Sequence, residues 1–503
     1  MFAARPVILL FCCVFFSGIA LFGRHNDFPF YYHPDEPGKV QQIIRHKRSF
    51  THPMLMLSVV DAARHVAFSG ADRKLPQKIC ELGRWATAAM CALTAATLAC
   101  LAFQTFGMVA GCSVGLLVLT QPLLYDLAHY FKEDPWLMAG IALVCLALNA
   151  FSQSPSTRRM HLLAVACAIA ASGKYVGFAY LPVCVWMVWK KAPPGSQGSR
   201  LMAWFASFAG GLFLLNLQGI LNPAAVLERI QEESSKLSGA AHGVGRRVPH
   251  GFYLLTQTLY GGWALPLISL LWVAAAVRMP RKITPAEWVL GATALLQFAI
   301  FSCVPKAAFR YHLPVALAFV FLAVAGLARW IEAFRDRPRF RSFGVPIGAV
   351  LLAVALFFQV RTLWVLDRSF LQDDRARLID WIRSELPANA VLAADAAVNL
   401  PDLRLWQHAG GTALSQRLVS GKKEVGQMGS IAELRALGVT HIAICGRTYA
   451  RYLDLSRNAD PQSGQMRAFY QTLLTRGKVL WSSPIGSVNY LQPGLQLVDI
   501  QGL

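Results

Sequence analysis

Two short acidic stretches in this sequence carry residues suited to proton transfer. His33-Pro34-Asp35-Glu36-Pro37 places adjacent carboxylates between prolines, which restrict the backbone around them. Lys132-Glu133-Asp134-Pro135 forms a second acidic group, at the end of an apolar segment. A carboxylate held near a lipid surface can act as a general base towards a hydroxyl or an amine. Each stretch alone also fits a solvated loop or a charged helix end, and together they make Asp35, Glu36 and Asp134 the catalytic candidates.

Basic and aromatic residues lie at comparable positions between other apolar segments, where they could bind a phosphate group. Cations that neutralise a leaving phosphate, beside a carboxylate that removes a proton, would suit transfer from a lipid phosphate. Taken one at a time, these residues fit snorkelling side chains or a plain loop equally well. The candidates for binding a donor phosphate are Lys174, Lys306, Arg310 and Tyr311, and those for a substrate loop are His33, His242 and Arg246.

The composition indicates that these stretches connect membrane-spanning helices. Of 503 residues, 55% are hydrophobic and 15% are charged, whereas an average soluble protein is about 25% charged. The mean hydropathy is +0.42. These values exclude a disordered chain and disfavour a soluble cytosolic enzyme. The net charge is +21, but the bases flank apolar runs, so membrane lipids and phosphate-bearing lipids are the expected partners rather than nucleic acid.

About eleven apolar segments are candidates to span a bilayer, although three are short against the usual 17–25 residues. This pattern predicts a polytopic α-helical membrane protein. The predicted spans cover residues 4–23, 85–106, 108–127, 136–151, 161–172, 176–190, 201–221, 252–277, 285–304, 311–330 and 344–363.

Lysine and arginine in the short loops predict the orientation of these spans. Basic clusters follow the fourth, sixth, eighth and tenth spans, so all four fall on one side, which we expect to be cytoplasmic together with the N-terminus. The outer side then carries loops 24–84 and 222–251 and everything after about residue 364. Part of the first loop, Met54 to Val60, has the pattern of an amphipathic helix lying in the membrane interface. That loop opposes the charge bias, because it contains Arg45, Lys47, Arg48, Arg64, Arg73, Lys74 and Lys78.

The composition changes near residue 370 to frequent charges and short apolar clusters, which is typical of a small α/β domain outside the membrane. We therefore expect a transmembrane catalytic domain at residues 1–366 and an α/β domain at residues 370–503. The predicted strands of the second domain are 390–394, 440–445 and 479–482, and its predicted helices are 375–386 and 465–476.

The eleven cysteines give little indication of chemistry. Nine lie in apolar runs, where cysteine behaves as a small hydrophobic residue. The sequence has no CxxC pair and no Cys/His cluster, which disfavours a structural zinc site. Cys80 and Cys445 lie outside the apolar runs, and the sequence leaves open whether they pair.

At these motifs the chain resembles the GT-C superfamily of glycosyltransferases, in the branch of the protein O-mannosyltransferases and the aminoarabinose transferase of lipid A. The resemblance spans most of residues 5–385 and depends on the order of the motifs along the spans. Its more specific elements are Asp35-Glu36 and Arg310-Tyr311 with Pro314. The weaker matches are His52-Pro53, Glu133-Asp134-Pro135, Gly173-Lys174-Tyr175, His242-Gly243, and Arg375 to Pro387 with Trp381-Ile382.

The resemblance implies a polyprenyl-phosphate-linked monosaccharide as donor and transfer on the outer face, with inversion at the anomeric carbon. Asp35 would be the general base or would orient the acceptor, Glu36 would support its loop, and Asp134 would assist acceptor binding or hold a metal. Lys174, Lys306 and Arg310 would contact the donor phosphate.

The same resemblance limits what can be expected of cofactor, acceptor and location. Some relatives bind a divalent ion and others do not, so a metal ion is left open and no other cofactor is implied. The chain shows no recognisable additional soluble module between its spans, so a lipid or glycan acceptor is as plausible as a protein. The family pattern implies a bacterial inner membrane, with the domain at 370–503 in the periplasm.

Two other functions fit parts of the sequence. A lipid-linked-sugar translocase or other transporter would be expected to place its charges near the membrane midplane. Acidic residues inside the predicted spans are scarce, and the nearest case, Asp126, lies near the outer end of the third span. A non-catalytic membrane assembly factor would use the α/β domain for binding. The outer position of the acidic stretches favours the enzyme over both.

Overall fold

The computed structural model describes most of the chain. The described residues are 4–27, 33–68, 75–237, 260, 262–303, 309–333, 338–371, 373–398, 417–419, 424–454, 461–486 and 491–503.

The first three quarters of the chain form a helical bundle, as the apolar segments predict. Short 3₁₀ helices at Tyr175–Tyr180 and Phe309–His312 precede two of the helices. The α-helices are α1 Ala4–Phe22, α2 Glu36–Ile44, α3 Leu55–Ala67, α4 Leu75–Phe106, α5 Met108–Leu119, α6 Pro122–Ala128, α7 Asp134–Gln153, α8 Thr157–Gly173, α9 Leu181–Lys191, α10 Gln197–Ile220, α11 Pro223–Leu237, α12 Ala264–Arg278, α13 Pro285–Cys303, α14 Leu313–Ala333 and α15 Pro338–Leu371.

Six of the described helices are long and apolar enough to cross a membrane, or seven if α5 and α6 form one span. These two helices are bent by 55°, where the sequence predicts one continuous span. The bend has a local cause, because the Gln121 side chain accepts hydrogen bonds from the backbone N–H groups of Leu123 and Leu124, and Pro122 begins α6. The helical membrane fold is confirmed, whereas the number of eleven spans stays a prediction.

Small residues let α7 and α8 approach closely and fix their relative position. A Cβ atom on Gly140 would lie 2.4 Å from Cα of Ala170, and one on Gly173 would lie 2.7 Å from the backbone nitrogen of Leu137. These contacts pair the start of α7 with the end of α8, so the two helices run antiparallel. The packing therefore brings Asp134, at the first position of α7, beside Lys174, which follows α8.

The first outer loop folds back on the bundle through α2 and α3. Val40 of α2 and Met56 of α3 are buried in one cluster with Phe131 and Trp136. The amphipathic helix predicted near Met54 exists, but its apolar face packs on protein rather than on lipid. The reason is that the side chains of α2, α4 and the loop before α7 already cover that face.

A five-stranded mixed sheet forms the C-terminal part of the chain, in the order β2-β1-β3-β5-β4. β1 pairs in parallel with β2 and β3, and β5 pairs antiparallel with β3 and β4. Buried clusters that include Leu378 on one side and Tyr470 on the other contain side chains from the sheet and its helices. The elements are α16 Asp374–Glu385, β1 Val391–Ala394, β2 Arg417–Val419, α17 Ile431–Ala436, β3 His441–Cys445, α18 Gly446–Leu453, α19 Pro461–Arg476, β4 Lys478–Ser482 and β5 Leu495–Asp499.

The sequence correctly predicts three of these strands and two of the helices, and it misses β2 and β5. The predicted boundary between residues 366 and 370 falls within the last turns of α15. That end of α15 touches the bundle, since the Tyr125 hydroxyl donates to Asp367 Oδ1 at 2.5 Å and the His129 ring stacks on Phe370 at 4.1 Å. Cys80 and Cys445 are separate buried thiols.

Candidate active site

A cavity of about 680 Å³ lies between the first outer loop and the ends of α7 and α8. This volume falls in the range of about 300–1,000 Å³ that is usual for small-molecule sites. Its charged lining consists of three carboxylates and four cations: Asp35, Glu133 and Asp134, with Lys39, Lys132, Lys174 and Arg310. The lining also includes His52, Tyr175, Gln297, Tyr311 and Pro314. Five of the residues predicted from sequence therefore meet here, namely Asp35, Asp134, Lys174, Arg310 and Tyr311.

Asp35 presents its carboxylate to this cavity from the start of α2. It occupies the N-cap position, and Pro37 stands in the first turn of the helix. The carboxylate pairs with Lys132, and the two side chains are 50% and 2% exposed, respectively. His33 Nδ1 accepts a hydrogen bond from the Asp35 backbone N–H at 3.1 Å. Asp35 is thus held in place on its protein side and accessible to a substrate on the other.

Glu36 points away from the cavity and is fully buried. Arg84 of α4 donates to both of its oxygens at 3.0 Å, from Nε and from Nη2. The backbone N–H groups of Phe131 and His33 also donate to the carboxylate, at 2.9 and 3.1 Å. Because every one of these bonds joins Glu36 to protein, the geometry favours support of the loop, and its assignment as a catalytic group stays a prediction. His33 is likewise buried and packs on Tyr130, outside the cavity lining.

Lys39 links α2 to the second acidic stretch. Its ammonium group donates to the carbonyl of Phe131 at 2.6 Å and lies 2.8 Å from Glu133 Oε1. His52 Nε2 lies 3.8 Å from the same Glu133 oxygen. Glu133 is 3% exposed, so its charge is balanced inside the wall of the cavity rather than by solvent.

Asp134 pairs with two cations of the cavity lining. It begins α7, where the helix dipole favours a negative charge. Lys174 donates to Asp134 Oδ1 at 2.7 Å, and Arg310 Nε lies 3.9 Å from Oδ2. Both cations also lie over the Tyr311 ring, each 5.2 Å from its centroid. This arrangement aims two positive groups from different loops at one part of the cavity.

Burial and the charges around the cavity shift the pKa values of the titratable side chains that line it. Burial alone would raise the pKa of Asp35, but Lys132, His33 and Lys39 hold that pKa well below its usual value. Burial, together with the charges of Lys39 and Arg310, lowers the pKa of Lys132 to about 8. Burial also lowers the pKa of His52 to about 4. Near neutral pH, Asp35 is therefore ionised, His52 is neutral, and Lys132 is mostly protonated but close to its titration range.

Sequence reasoning overlooked Lys39 and Arg84 and did not choose Lys132 as a site residue. The signal for Lys39 was present, because it lies four residues after Asp35 and a helix from Glu36 places the two on the same face. Arg84 carried no comparable signal, since it is 48 residues from Glu36 in sequence. The predicted residues Lys306, His242 and Arg246 lie outside the described part of the chain.

The described residues do not offer an evident site for a divalent ion. No group of three or more His, Cys, Asp or Glu side chains within them is arranged to hold a metal. Asp35 and Asp134, the carboxylates that could contribute ligands, each pair with a lysine instead.

One family of known proteins matches part of the chain in sequence. The model of the dolichyl-phosphate-mannose-protein mannosyltransferase family matches residues 70–226, which is less than half of the chain. A comparison with curated protein sequences found no match.

Solved structures resemble the chain along almost its whole length. ArnT from Cupriavidus metallidurans, crystallised bound to undecaprenyl phosphate, has 16% identity and a TM-score of 0.53, with 99% of each chain covered. The oligosaccharyltransferase of Archaeoglobus fulgidus, in its apo form, has 11% identity and a TM-score of 0.52, with 96% of this chain and 74% of that chain covered. At such identities the likeness concerns the fold. The chain therefore has the fold of these membrane glycosyltransferases, which agrees with the resemblance of its motifs to the GT-C superfamily.

Proposed function

We propose that the protein transfers a monosaccharide from a polyprenyl-phosphate donor to a lipid, glycan or protein acceptor on the periplasmic face of the bacterial inner membrane. The observation that carries this proposal is the cavity in which one accessible carboxylate, Asp35, faces a cluster of cations. The binding of undecaprenyl phosphate by ArnT, which has the same fold, supports a lipid phosphate as the ligand.

In the proposed reaction, the acceptor hydroxyl or amine attacks the anomeric carbon of the donor sugar. Asp35 accepts the proton of the acceptor while the bond between the anomeric carbon and the phosphate oxygen breaks. The electron pair of that bond leaves with the polyprenyl phosphate, whose added charge Lys174 and Arg310 neutralise. Attack opposite the leaving phosphate inverts the anomeric configuration.

In this proposal Lys132 links the binding of the donor phosphate to the basicity of Asp35. In the free protein it pairs with Asp35, which keeps the carboxylate ionised but also makes it a weak base. A donor phosphate in the cavity would compete with Asp35 for the same ammonium group. Loss of that partner would raise the pKa of Asp35, so donor binding would strengthen the base at the time it is needed.

The role of Asp35 can be tested with purified, folded protein and radiolabelled polyprenyl-phosphate sugars. We expect Asp35→Asn to lower sugar transfer by at least about 10²-fold, the smaller end of the usual contribution of a general base. Asp380→Asn provides a matched control, because Asp380 is exposed on α16. Transfer by Asp35→Asn at the wild-type rate would show that Asp35 is not the base.

The two alternative functions predict different outcomes of the same assay. A lipid-linked-sugar translocase would move donor across a vesicle membrane without forming a new glycosidic bond. An assembly factor would do neither. Apart from Lys39, which lies within the short helix α2, the described charges that line the cavity lie where helices begin or end. This position supports the transferase.

A further inference from the structure

A second groove joins the cavity at its rim and is rich in basic residues. It has a volume of about 370 Å³ and shares Gly38, Gln42 and Ser49 with the cavity lining. Its charged lining consists of four cations and one carboxylate, Arg45, Lys47, Arg48, Arg229 and Glu228. The groove thus continues the cavity along α2 and towards α11.

Two of these four cations pair with carboxylates of the protein, and the other two pair with no carboxylate of the described residues. Arg48 donates to Asp61 at 2.6 Å, to the Gln42 carbonyl at 2.9 Å and to Gln218 at 3.0 Å, so it shapes the floor of the groove. Arg229 pairs with Glu232 on α11. Within the described residues, Arg45 and Lys47 have no carboxylate within ion-pair distance, and both are exposed.

The position of these cations is unusual for a membrane protein of this orientation. Arg45 and Lys47 lie in the predicted first outer loop, whose positive charge opposes the inside bias. Arg64 of that loop pairs with Asp61, and Lys78 lies over the Phe68 ring at 5.5 Å. Among the described basic residues of this loop, the two without such a partner, Arg45 and Lys47, face the groove. The proposed transfer at Asp35 does not account for them.

We propose that this groove binds a phosphate group carried by the acceptor. This inference rests on the proposed transferase function and narrows the acceptor to a phosphorylated lipid or a phosphorylated glycan. Arginine and lysine together suit a phosphate, since each contributes charge-assisted hydrogen bonds. The single carboxylate in the lining leaves the groove with an excess of positive charge.

The geometry also separates this phosphate from the reacting group. Arg45 follows α2 and Asp35 precedes it, so a rise of about 1.5 Å per residue places their Cα atoms roughly 15 Å apart. The acceptor phosphate would then lie well away from the hydroxyl or amine that Asp35 deprotonates. The groove selects the acceptor by a distant feature and does not take part in the chemistry.

The proposal is tested by phosphate binding to the full-length protein in nanodiscs. Two probes distinguish the source of the phosphate: phosphatidic acid in phosphatidylcholine nanodiscs, and soluble glucose 1-phosphate. The variant is Arg45→Gln combined with Lys47→Gln. Lys78→Gln is the matched control, because Lys78 lies at the start of α4, within the same predicted outer segment 24–84, but lines neither the groove nor the cavity.

We expect the double variant to bind one of the probes at least about ten-fold more weakly than wild type, a loss of about 1.4 kcal/mol. Lys78→Gln should bind as wild type does. Loss confined to phosphatidic acid would assign a lipid acceptor, and loss confined to glucose 1-phosphate would assign a soluble phosphorylated glycan. No binding of either probe to wild type, unchanged binding by the double variant, or an equal loss in Lys78→Gln would overturn the proposal.

Measuring the binding of undecaprenyl phosphate distinguishes a failure of the acceptor proposal from a failure of the proposed transferase function. The double variant should retain wild-type affinity for undecaprenyl phosphate, because Arg310 and Lys174 lie in the cavity rather than in the groove. If wild type binds a phosphate probe but not undecaprenyl phosphate, the transferase function fails. The assignment of a phosphorylated acceptor would then also be wrong, because it rests on the transferase function.

Discussion

Lys132 is the residue through which pH should control the site. Its pKa is lowered from an ordinary lysine value to about 8, mainly by burial and by the neighbouring cations. Asp35, in contrast, has a lowered pKa and is ionised throughout the neutral range. As the pH rises, the free protein should therefore lose the positive charge of Lys132 in the cavity, while the candidate base Asp35 stays ionised.

We expect kcat/KM for sugar transfer to fall as the pH rises through about 8, because neutral Lys132 cannot attract a donor phosphate. Lys132→Arg should move this decline to higher pH, since arginine stays protonated. The measurement is a pH profile of both proteins at saturating acceptor. An identical decline near pH 8 in both would assign the titration to another group.

The buried pair of Glu36 and Arg84 should contribute to stability rather than to chemistry. Removing one partner of a buried ion pair leaves an uncompensated charge, and such losses are about 3–5 kcal/mol. Glu36→Gln should therefore lower the thermal unfolding temperature clearly. Glu385→Gln, at an exposed position at the end of α16, should leave the unfolding temperature unchanged. An unfolding temperature for Glu36→Gln equal to that of wild type would contradict the supporting role.

Among the secondary-structure elements, the sequence predicts the positions of the long helices well. It does not predict where a helix is interrupted. Apolar length is sufficient to find α4 and α7, because a bilayer requires long apolar runs. The break between α5 and α6 depends on a single capping side chain, Gln121, followed by a proline. β2 was missed because it has only three residues, which carry little periodicity of their own. β5 is as long as the predicted strands β3 and β4, so its length does not explain why it was missed.

The contact between α7 and α8 should position Asp134 against Lys174. Gly140→Ala would place a methyl group 2.4 Å from Cα of Ala170, so the helices must separate. Overpacking of this kind costs about 1–3 kcal/mol, and we expect lower stability together with reduced transfer. Gly210→Ala on α10 is the control, because a Cβ there meets nothing within 4 Å. Equal stability and equal transfer in the two variants would contradict this role of the contact.

At the scale of the whole molecule, the end of α15 joins the C-terminal sheet domain to the bundle beside the acidic loop. Phe370 stacks on His129, which lies three residues before Lys132, and its ring also approaches that of Tyr130. Tyr130 in turn packs on His33 of the Asp35 stretch. These contacts join residues that are distant in the chain, so only the packed fold reveals them.

This junction predicts that Phe370 affects transfer without touching a substrate. Phe370→Ala should lower both the unfolding temperature and the rate of sugar transfer, because it removes the packing behind His129 and Tyr130. Phe357→Ala on the same helix is the control, since Phe357 is 63% exposed. Wild-type transfer by Phe370→Ala would show that the two halves act independently.

Binding of undecaprenyl phosphate to the purified protein shows whether the cavity holds a lipid phosphate. Native mass spectrometry should detect saturable binding to wild type and to Arg278→Ala, whose altered residue is exposed at the far end of α12. Arg310→Ala should lose that binding, because its guanidinium is one of the cations aimed into the cavity. No binding to folded wild-type protein, or undiminished binding to Arg310→Ala, would contradict the proposed donor site.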